Sequence, residues 1–164
     1  MKATTARVIL EAALNEACGQ LTVDWALNML ETGRDTPSLR LLAGAVRPYN
    51  HFELAELRDS SLAELRIRIP PKEEAVGRYA AERLRESAQR EKDDYSSAID
   101  ELKDLCIKTS YNDAVYPFYM LFFSMQDLKD LGYSLHLTEA TSRNIKTLVQ
   151  KAVDETIRKF GADE

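Results

Sequence analysis

The chain has 164 residues, of which 45% are apolar and 30% charged, and its formal net charge is −5. This composition suits one folded domain or two small subdomains and excludes a largely disordered chain. The negative charge opposes a phosphate backbone, so no nucleic-acid partner is expected. Residues 1–70 carry a net charge of −1 and residues 71–164 one of −4, so a basic partner is expected to bind the second half.

Two helices are predicted at the start of the chain. The first runs from Thr5 to Cys18, where apolar residues recur at helical spacing, and Gly19 ends it. The second begins after Thr22, a favourable N-cap residue. This second helix carries Trp25, which we expect to be mostly buried.

Two more helices are predicted before residue 70. The pair Thr36-Pro37 is the clearest helix start, since threonine is a good N-cap and proline is favoured in the first turn, and Gly44 weakens or ends this helix. Asn50 caps a fourth helix, which we expect to break or restart within residues 59–61.

A double proline separates the two halves of the chain. Residues 67–69 alternate like a strand, but Pro70 and Pro71 follow directly, which favours an extended connector. Residues 68–72 are therefore a candidate subdomain boundary within a single helical domain of residues 1–164.

The first part of the second half is rich in charge. A charged helix is predicted from Lys72 to about Arg90, and a second helix, capped by Asp94, from Tyr95 to Lys108. One unbroken helix over residues 72–108 is the alternative.

Two helices complete the predicted fold. Asp113 is expected to cap the first, with Pro117 in its first turn and Gly132 as its stop, and Thr138 to cap the last, which Gly161 ends. The predicted fold is all-α: an irregular bundle of six to eight helices, with two helical subdomains as an alternative arrangement.

The sequence contains no recognisable catalytic or cofactor motif. Neither a phosphate-binding glycine loop nor a nucleophile elbow is present. His136 and Glu139 have a usable spacing for a metal, but the predicted cap at Thr138 places His136 outside the helix. Cys18 and Cys106 lie in apolar helical patterns and are expected to be buried and reduced. We therefore predict no catalytic residues, no metal and no cofactor.

Nothing in the sequence indicates a membrane. The N-terminal apolar run is too short for a secretory signal, and no apolar stretch approaches the ~20 residues of a membrane span. A cytoplasmic location is the expectation.

The segment from Tyr111 to Phe123 is unusually aromatic. It holds six of the chain's thirteen aromatic residues, at Tyr111, Tyr116, Phe118, Tyr119, Phe122 and Phe123. A helix that is apolar on every side is either central to the fold or half exposed as an interface. The size of the chain favours a central helix, with the interface as the alternative.

An acidic stretch precedes this segment. Its members are Glu91, Asp93, Asp94, Asp100, Glu101 and Asp104. Asp100 and Asp104 share a helix face, but the spacing lacks the calcium-loop pattern, which favours a solvated helix surface. Asp94, Asp100 and Asp104 are candidate rim residues beside the aromatic contact residues.

A second candidate site is polar. Asp35 and Arg40 flank a predicted helix start, where free N–H groups and a guanidinium favour an anion. His51 lies at the start of the next helix and would approach them if the two helices form a hairpin.

Residues 25–44, which include WALNMLETGRDTPSLRLLAG, resemble a segment of small bacterial helical proteins of uncharacterised function. The resemblance implies a packed pair of short helices and no activity. By type rather than by motif, the chain also resembles small acidic bacterial immunity proteins.

The sequence therefore predicts a non-catalytic helical module that binds another protein or a second copy of itself. An immunity-type protein that masks a basic effector is one form of this function. A small helical enzyme or a small-molecule-binding protein is the alternative.

Overall fold

The computed structural model describes residues 3–90 and 94–161, and these residues form eight α-helices and no strand. The all-α prediction of six to eight helices is confirmed. The helices are α1 Thr5–Ala13, α2 Gln20–Glu31, α3 Pro37–Ala43, α4 His51–Glu64, α5 Lys72–Arg90, α6 Ser96–Lys108, α7 Tyr116–Asp130 and α8 Ile145–Phe160. The chain divides into two compact units, Met1–Ala75 and Val76–Glu164, and the division falls within α5.

The first unit contains α1–α4 around an aliphatic core. The largest fully buried side chains are Trp25, Leu10, Leu39, Leu42, Leu62 and Val8. The predicted burial of Trp25 is confirmed, since 1% of the residue is exposed. Its indole Nε1–H donates a hydrogen bond to Oγ1 of Thr5 at 3.1 Å, which satisfies the polar edge of a buried ring.

The first two helices have different bounds from those predicted. Helix α1 ends at Ala13 rather than Cys18, and Asn15 follows with a φ of +53°, a conformation that ends a helix. Helix α2 begins at Gln20 with Gly19 as its N-cap. The prediction of Thr22 as the cap is wrong, because its hydroxyl is buried and donates to Glu11 at 3.2 Å.

Helix α3 begins at Pro37 as predicted, but its cap comes from elsewhere in the chain. The side chain of Thr36 makes no capping hydrogen bond. The carboxylate of Glu64 instead accepts from the backbone N–H of Ser38 at 3.1 Å and from its hydroxyl at 2.7 Å. The last residue of α4 therefore satisfies the exposed N-terminus of α3.

Helix α4 is continuous, so the predicted break at residues 59–61 is wrong. Its N-terminus is as predicted, with the Asn50 side chain accepting from the N–H groups of Phe52 and Glu53. Ser61 stays within the helix because its hydroxyl donates to the carbonyl of Leu57 at 2.6 Å and does not compete for the helix N–H groups.

The second unit contains the remainder of α5 and helices α6–α8. Asp94 accepts from the backbone N–H of Ser96 at 3.0 Å, but the N-cap position of α6 is Tyr95, one residue after the predicted cap. Asp94 and Tyr95 are not helical, so the alternative of one helix over residues 72–108 is wrong.

The starts of the last two helices were predicted less well. Pro117 lies in the first turn of α7 and Gly132 follows its end with a φ of +81°, both as expected. However, the cap position is Val115, not Asp113. Helix α8 begins at Ile145, not near Thr138, because a longer turn precedes it and is closed by hydrogen bonds between Thr141 and Asn144 at 2.7 and 3.3 Å.

Gly77 allows a close approach between α5 and α8. A Cβ atom at this position would lie 2.4 Å from the ring of Phe160. We expect Gly77→Ala to lower the free energy of unfolding by about 1–2 kcal/mol, because overpacking exceeds the gain of about 1 kcal/mol in helix propensity. In a Phe160→Ala background the same change should instead stabilise the protein. Chemical denaturation of the wild type and the three variants measures this reversal, and equal effects in both backgrounds would contradict the contact.

Candidate protein-binding surface

Helix α7 has one face in the core of the second unit. Phe118, Leu121 and Ser124 are buried at helical spacing, and Phe118 is completely inaccessible to solvent. Phe118 therefore contributes to stability and offers no area to a partner. The prediction that it is a binding residue is corrected accordingly.

The other aromatic residues of this segment form a continuous surface, which we call the aromatic strip. It consists of Tyr111, Tyr116, Tyr119, Phe122 and Phe123. Tyr116, Tyr119 and Phe123 recur at intervals of three and four residues and so share one face of α7. Tyr111 joins them from the turn before the helix.

Ring contacts connect the whole strip. The centroid of Tyr119 lies 5.3 Å from that of Tyr111, 5.9 Å from that of Tyr116 and 4.9 Å from that of Phe123. Phe122 lies 5.1 Å from Phe123 with nearly perpendicular rings. These are favourable aromatic separations, so the strip is preformed and needs little ordering to bind a partner.

Much of the strip faces solvent. Tyr111 is 52% exposed and Tyr116 is 41% exposed, while Tyr119, Phe122 and Phe123 are half-buried. The segments before and after α7 add further exposed apolar residues, at Ile107, Leu131, Tyr133 and Leu135. The expectation of a fully central helix is therefore wrong, and α7 is core on one side and open on the other.

A histidine extends the strip beyond Phe123. The ring of His136 stacks on that of Phe123 with centroids 5.1 Å apart. Its Nδ1 lies 2.9 Å from Oδ2 of Asp127, which also accepts from the N–H of Leu135. The hydrogen bond with His136 lowers the pKa of Asp127. His136 thus holds the turn after α7 against the helix.

A lysine lies at the side of the strip, on α6. The ammonium of Lys103 is 2.8 Å from both Asp100 and Asp104, and it lies 4.4 Å from the centroid of the Phe122 ring. We call these four residues the Lys103 cluster. It brings the predicted acidic and aromatic residues together, with a cation between them that the sequence analysis did not identify. The three-residue spacing of Asp100 and Lys103 could have suggested the first ion pair, whereas Asp104 is adjacent to Lys103 in sequence and its pairing could not be read from spacing.

The rest of the predicted acidic stretch is divided among other roles. Asp94 accepts from the N–H of Ser96 at the start of α6, and Glu101 accepts from the hydroxyl of Tyr79 and, at 2.9 Å, from the guanidinium of Arg83. Glu91 and Asp93 lie outside the described residues. Among the described members, Asp100 and Asp104 are the ones that border the aromatic strip.

The candidate polar site is only partly assembled. Asp35 and Arg40 form a bidentate ion pair at 2.6 and 2.5 Å on the surface. This pairing lowers the pKa of Asp35 and raises that of Arg40. The ring of His51 contacts the backbone carbonyl of Cys18 instead. Arg40 and His51 thus have different partners.

The first unit contains a buried polar cluster that the sequence did not predict. Arg58 is 3% exposed, and its Nη1 lies 3.1 Å from Sγ of Cys18 and its Nε 2.8 Å from Asp59. Glu11 is also buried, beside Arg7 and Thr22. Burial raises the pKa of both Glu11 and Cys18, so Cys18 is a neutral thiol in a structural position.

Described residues of each unit line a surface groove. A groove of about 700 Å³ in the second unit has a floor of Ile99, Met125, Ile145 and Val149 and a polar edge that includes Lys146. A groove of about 350 Å³ in the first unit is lined by Leu41, Val46, Pro48 and their neighbours. Within the described part of the chain, no three side chains are grouped as metal ligands require. Both cysteines are buried and free, as predicted.

No family model, curated protein or solved structure matches the chain. Among the described helices, none has the length and apolar character needed to cross a membrane.

Proposed function

We propose that this protein is a non-catalytic module that binds another protein through the aromatic strip. The observation that carries the proposal is a preformed row of contacting rings, two of them more than 40% exposed, on a helix whose opposite face is already in the core. Tyrosine and phenylalanine are favoured at protein contacts because they bury much area with little loss of conformational freedom.

The chemistry of the strip favours binding over catalysis. Burial raises the pKa of Tyr119, so its phenol is neutral and is not activated as a nucleophile. His136 uses Nδ1 on Asp127 and stacks its ring on Phe123, which makes it part of the contact surface. A partly exposed aromatic surface with charged residues at its edge is the usual composition of a specific interface.

The alternative is a small-molecule-binding protein that uses the groove of the second unit. Its volume of about 700 Å³ is within the range of ligand sites. The affinity for such a ligand would not change when the aromatic strip is altered, which distinguishes this alternative from the leading proposal.

Replacement of one central ring tests the proposal. Tyr119 contacts three other rings of the strip, so Tyr119→Ala should weaken partner binding at least ~tenfold, as expected for an interface hot spot. The matched control is Phe52→Ala, which removes an exposed aromatic residue of the first unit. Affinity capture from cells that encode the protein, followed by titration of the captured partner, gives the comparison.

Self-association is measured first by light scattering over a range of concentrations. A dimer that Tyr119→Ala dissociates and Phe52→Ala does not would make the partner a second copy of the chain. Equal partner affinity of wild type and Tyr119→Ala would contradict the proposed surface.

A further inference from the structure

We propose that Asp100, Asp104 and Phe122 form the position at which a lysine or arginine side chain of the partner binds, and that Lys103 occupies this position in the free protein. The proposal rests on the proposed protein-binding function and adds the chemistry of the partner, which is an apolar segment bearing a basic residue.

The geometry of the Lys103 cluster is that of a cation-binding position. Two carboxylates lie 2.8 Å from the ammonium, and an aromatic ring lies 4.4 Å below it. The carboxylates come from α6 and the ring from α7, so the packing of two helices positions the set. An aromatic face and carboxylates together favour a lysine or arginine head group.

The carboxylates remain accessible although Lys103 is paired with them. The side chains of Asp100 and Asp104 are 58% and 70% exposed, whereas that of Lys103 is 15% exposed. An incoming cation can therefore reach both oxygens from solvent and release the ammonium of Lys103 to water. Because the carboxylates are exposed, water screens these ion pairs and keeps them weak enough to exchange.

The cluster is continuous with the aromatic strip. Phe122 contacts Phe123, and Phe123 contacts Tyr119, so a partner that covers the rings also brings its neighbouring residue to the aspartates. Residues 100–130 contain six acidic and three basic residues, a net charge of −3. This charge complements a basic partner and would mainly accelerate association.

Selection from a display library of random 12-residue peptides tests the proposal. Peptides retained by the wild type should carry a lysine or arginine beside apolar residues, and Tyr119→Ala should not retain them. Lys103→Met should bind the selected peptides up to ~5-fold more tightly, since the internal cation no longer competes and an exposed pair contributes at most ~1 kcal/mol.

Two controls separate this effect from general electrostatics. Lys151→Met makes the same change in net charge at an exposed position of α8 and should not produce the gain. A peptide with glutamine in place of its basic residue should bind Lys103→Met and wild type equally. Circular dichroism and thermal unfolding verify that the variants are folded.

The negative outcomes are distinct. If the selected peptides are apolar without a basic residue, or if Lys103→Met binds no more tightly than Lys151→Met, the cation position is wrong and the protein-binding function stands. If Tyr119→Ala retains the same peptides as the wild type, the aromatic strip is not the contact surface and both proposals fail.

Discussion

Replacing Arg58 by methionine should lower the free energy of unfolding by about 1–3 kcal/mol, the range expected when a buried hydrogen-bonding group is removed and its buried partner loses its contact. Arg58 is almost fully buried and contacts Cys18 and Asp59. Burial has the largest effect on the pKa of Glu11 and Arg7 the next largest, and the charge of Arg58 adds a smaller stabilisation of the ionised form. Methionine keeps most of the aliphatic stem, so the loss reports the charge and its hydrogen bonds rather than a large cavity.

Glu11 provides the matched background for this variant. In a Glu11→Gln protein the buried carboxylate is absent, so Arg58→Met should cost less than in the wild type. Urea unfolding of the wild type and the three variants measures the coupling. Equal costs in the two backgrounds would show that the two side chains act independently.

The burial of Glu11 predicts that the free energy of unfolding depends on pH. Burial raises the pKa of Glu11 above its ordinary value of 4.5, so the native state favours the protonated carboxyl. The stability from this group is complete below the unfolded pKa and is lost as pH rises through the folded pKa. Arg58→Met removes a charge that lowers this pKa and should therefore lose more stability over the rise. Glu11→Gln should remove that part of the pH dependence.

Phe118→Ala should lower the free energy of unfolding by about 3–5 kcal/mol, since it leaves a cavity where a completely buried ring was packed. The expected result follows from the burial of one face of α7, where Phe118, Leu121 and Ser124 lie. Thermal or urea unfolding checks the value. A loss below about 1 kcal/mol would contradict a core position for this ring.

The comparison with Tyr119→Ala separates the two faces of the same helix. Tyr119 is one residue further along but lies on the half-exposed strip, so its replacement should weaken binding more than stability. Phe118→Ala should instead reduce stability more than binding, when binding is measured under conditions where the variant remains folded. If both variants reduced stability more than binding, or both reduced binding more than stability, the assignment of Phe118 to the core and Tyr119 to the contact surface would be contradicted.

Local signals in the sequence were sufficient for several helix ends. Asn50 caps the helix that was expected to follow it, Asp94 bonds the first N–H of α6, and Pro37 and Pro117 lie in first turns. Gly33 and Gly132 adopt positive φ after helix ends. Each of these outcomes depends on hydrogen bonds or backbone angles within a few residues, so neighbouring residue types determine them.

Local signals failed where a residue had a distant partner. Thr22 was a plausible cap, but its hydroxyl bonds Glu11 from another helix, and α3 is capped by Glu64, 26 residues from Ser38. Thr138 was a plausible cap as well, although α8 begins only at Ile145. In the first two cases a hydrogen bond to a distant helix replaced the predicted cap, and in the third a longer turn came before the helix.

The all-helical class, most helix positions and the aromatic content of α7 were thus determined by the sequence alone, because apolar periodicity and capping act over one or two turns. The tertiary structure decided which face of α7 remains open and buried Arg58 beside Cys18, 40 residues away. It also placed Lys103, which pairs with two aspartates of its own helix, over the ring of Phe122. The physical reason is that exposure and through-space contacts depend on how separate helices pack, and the pattern within one helix carries little information about its neighbours.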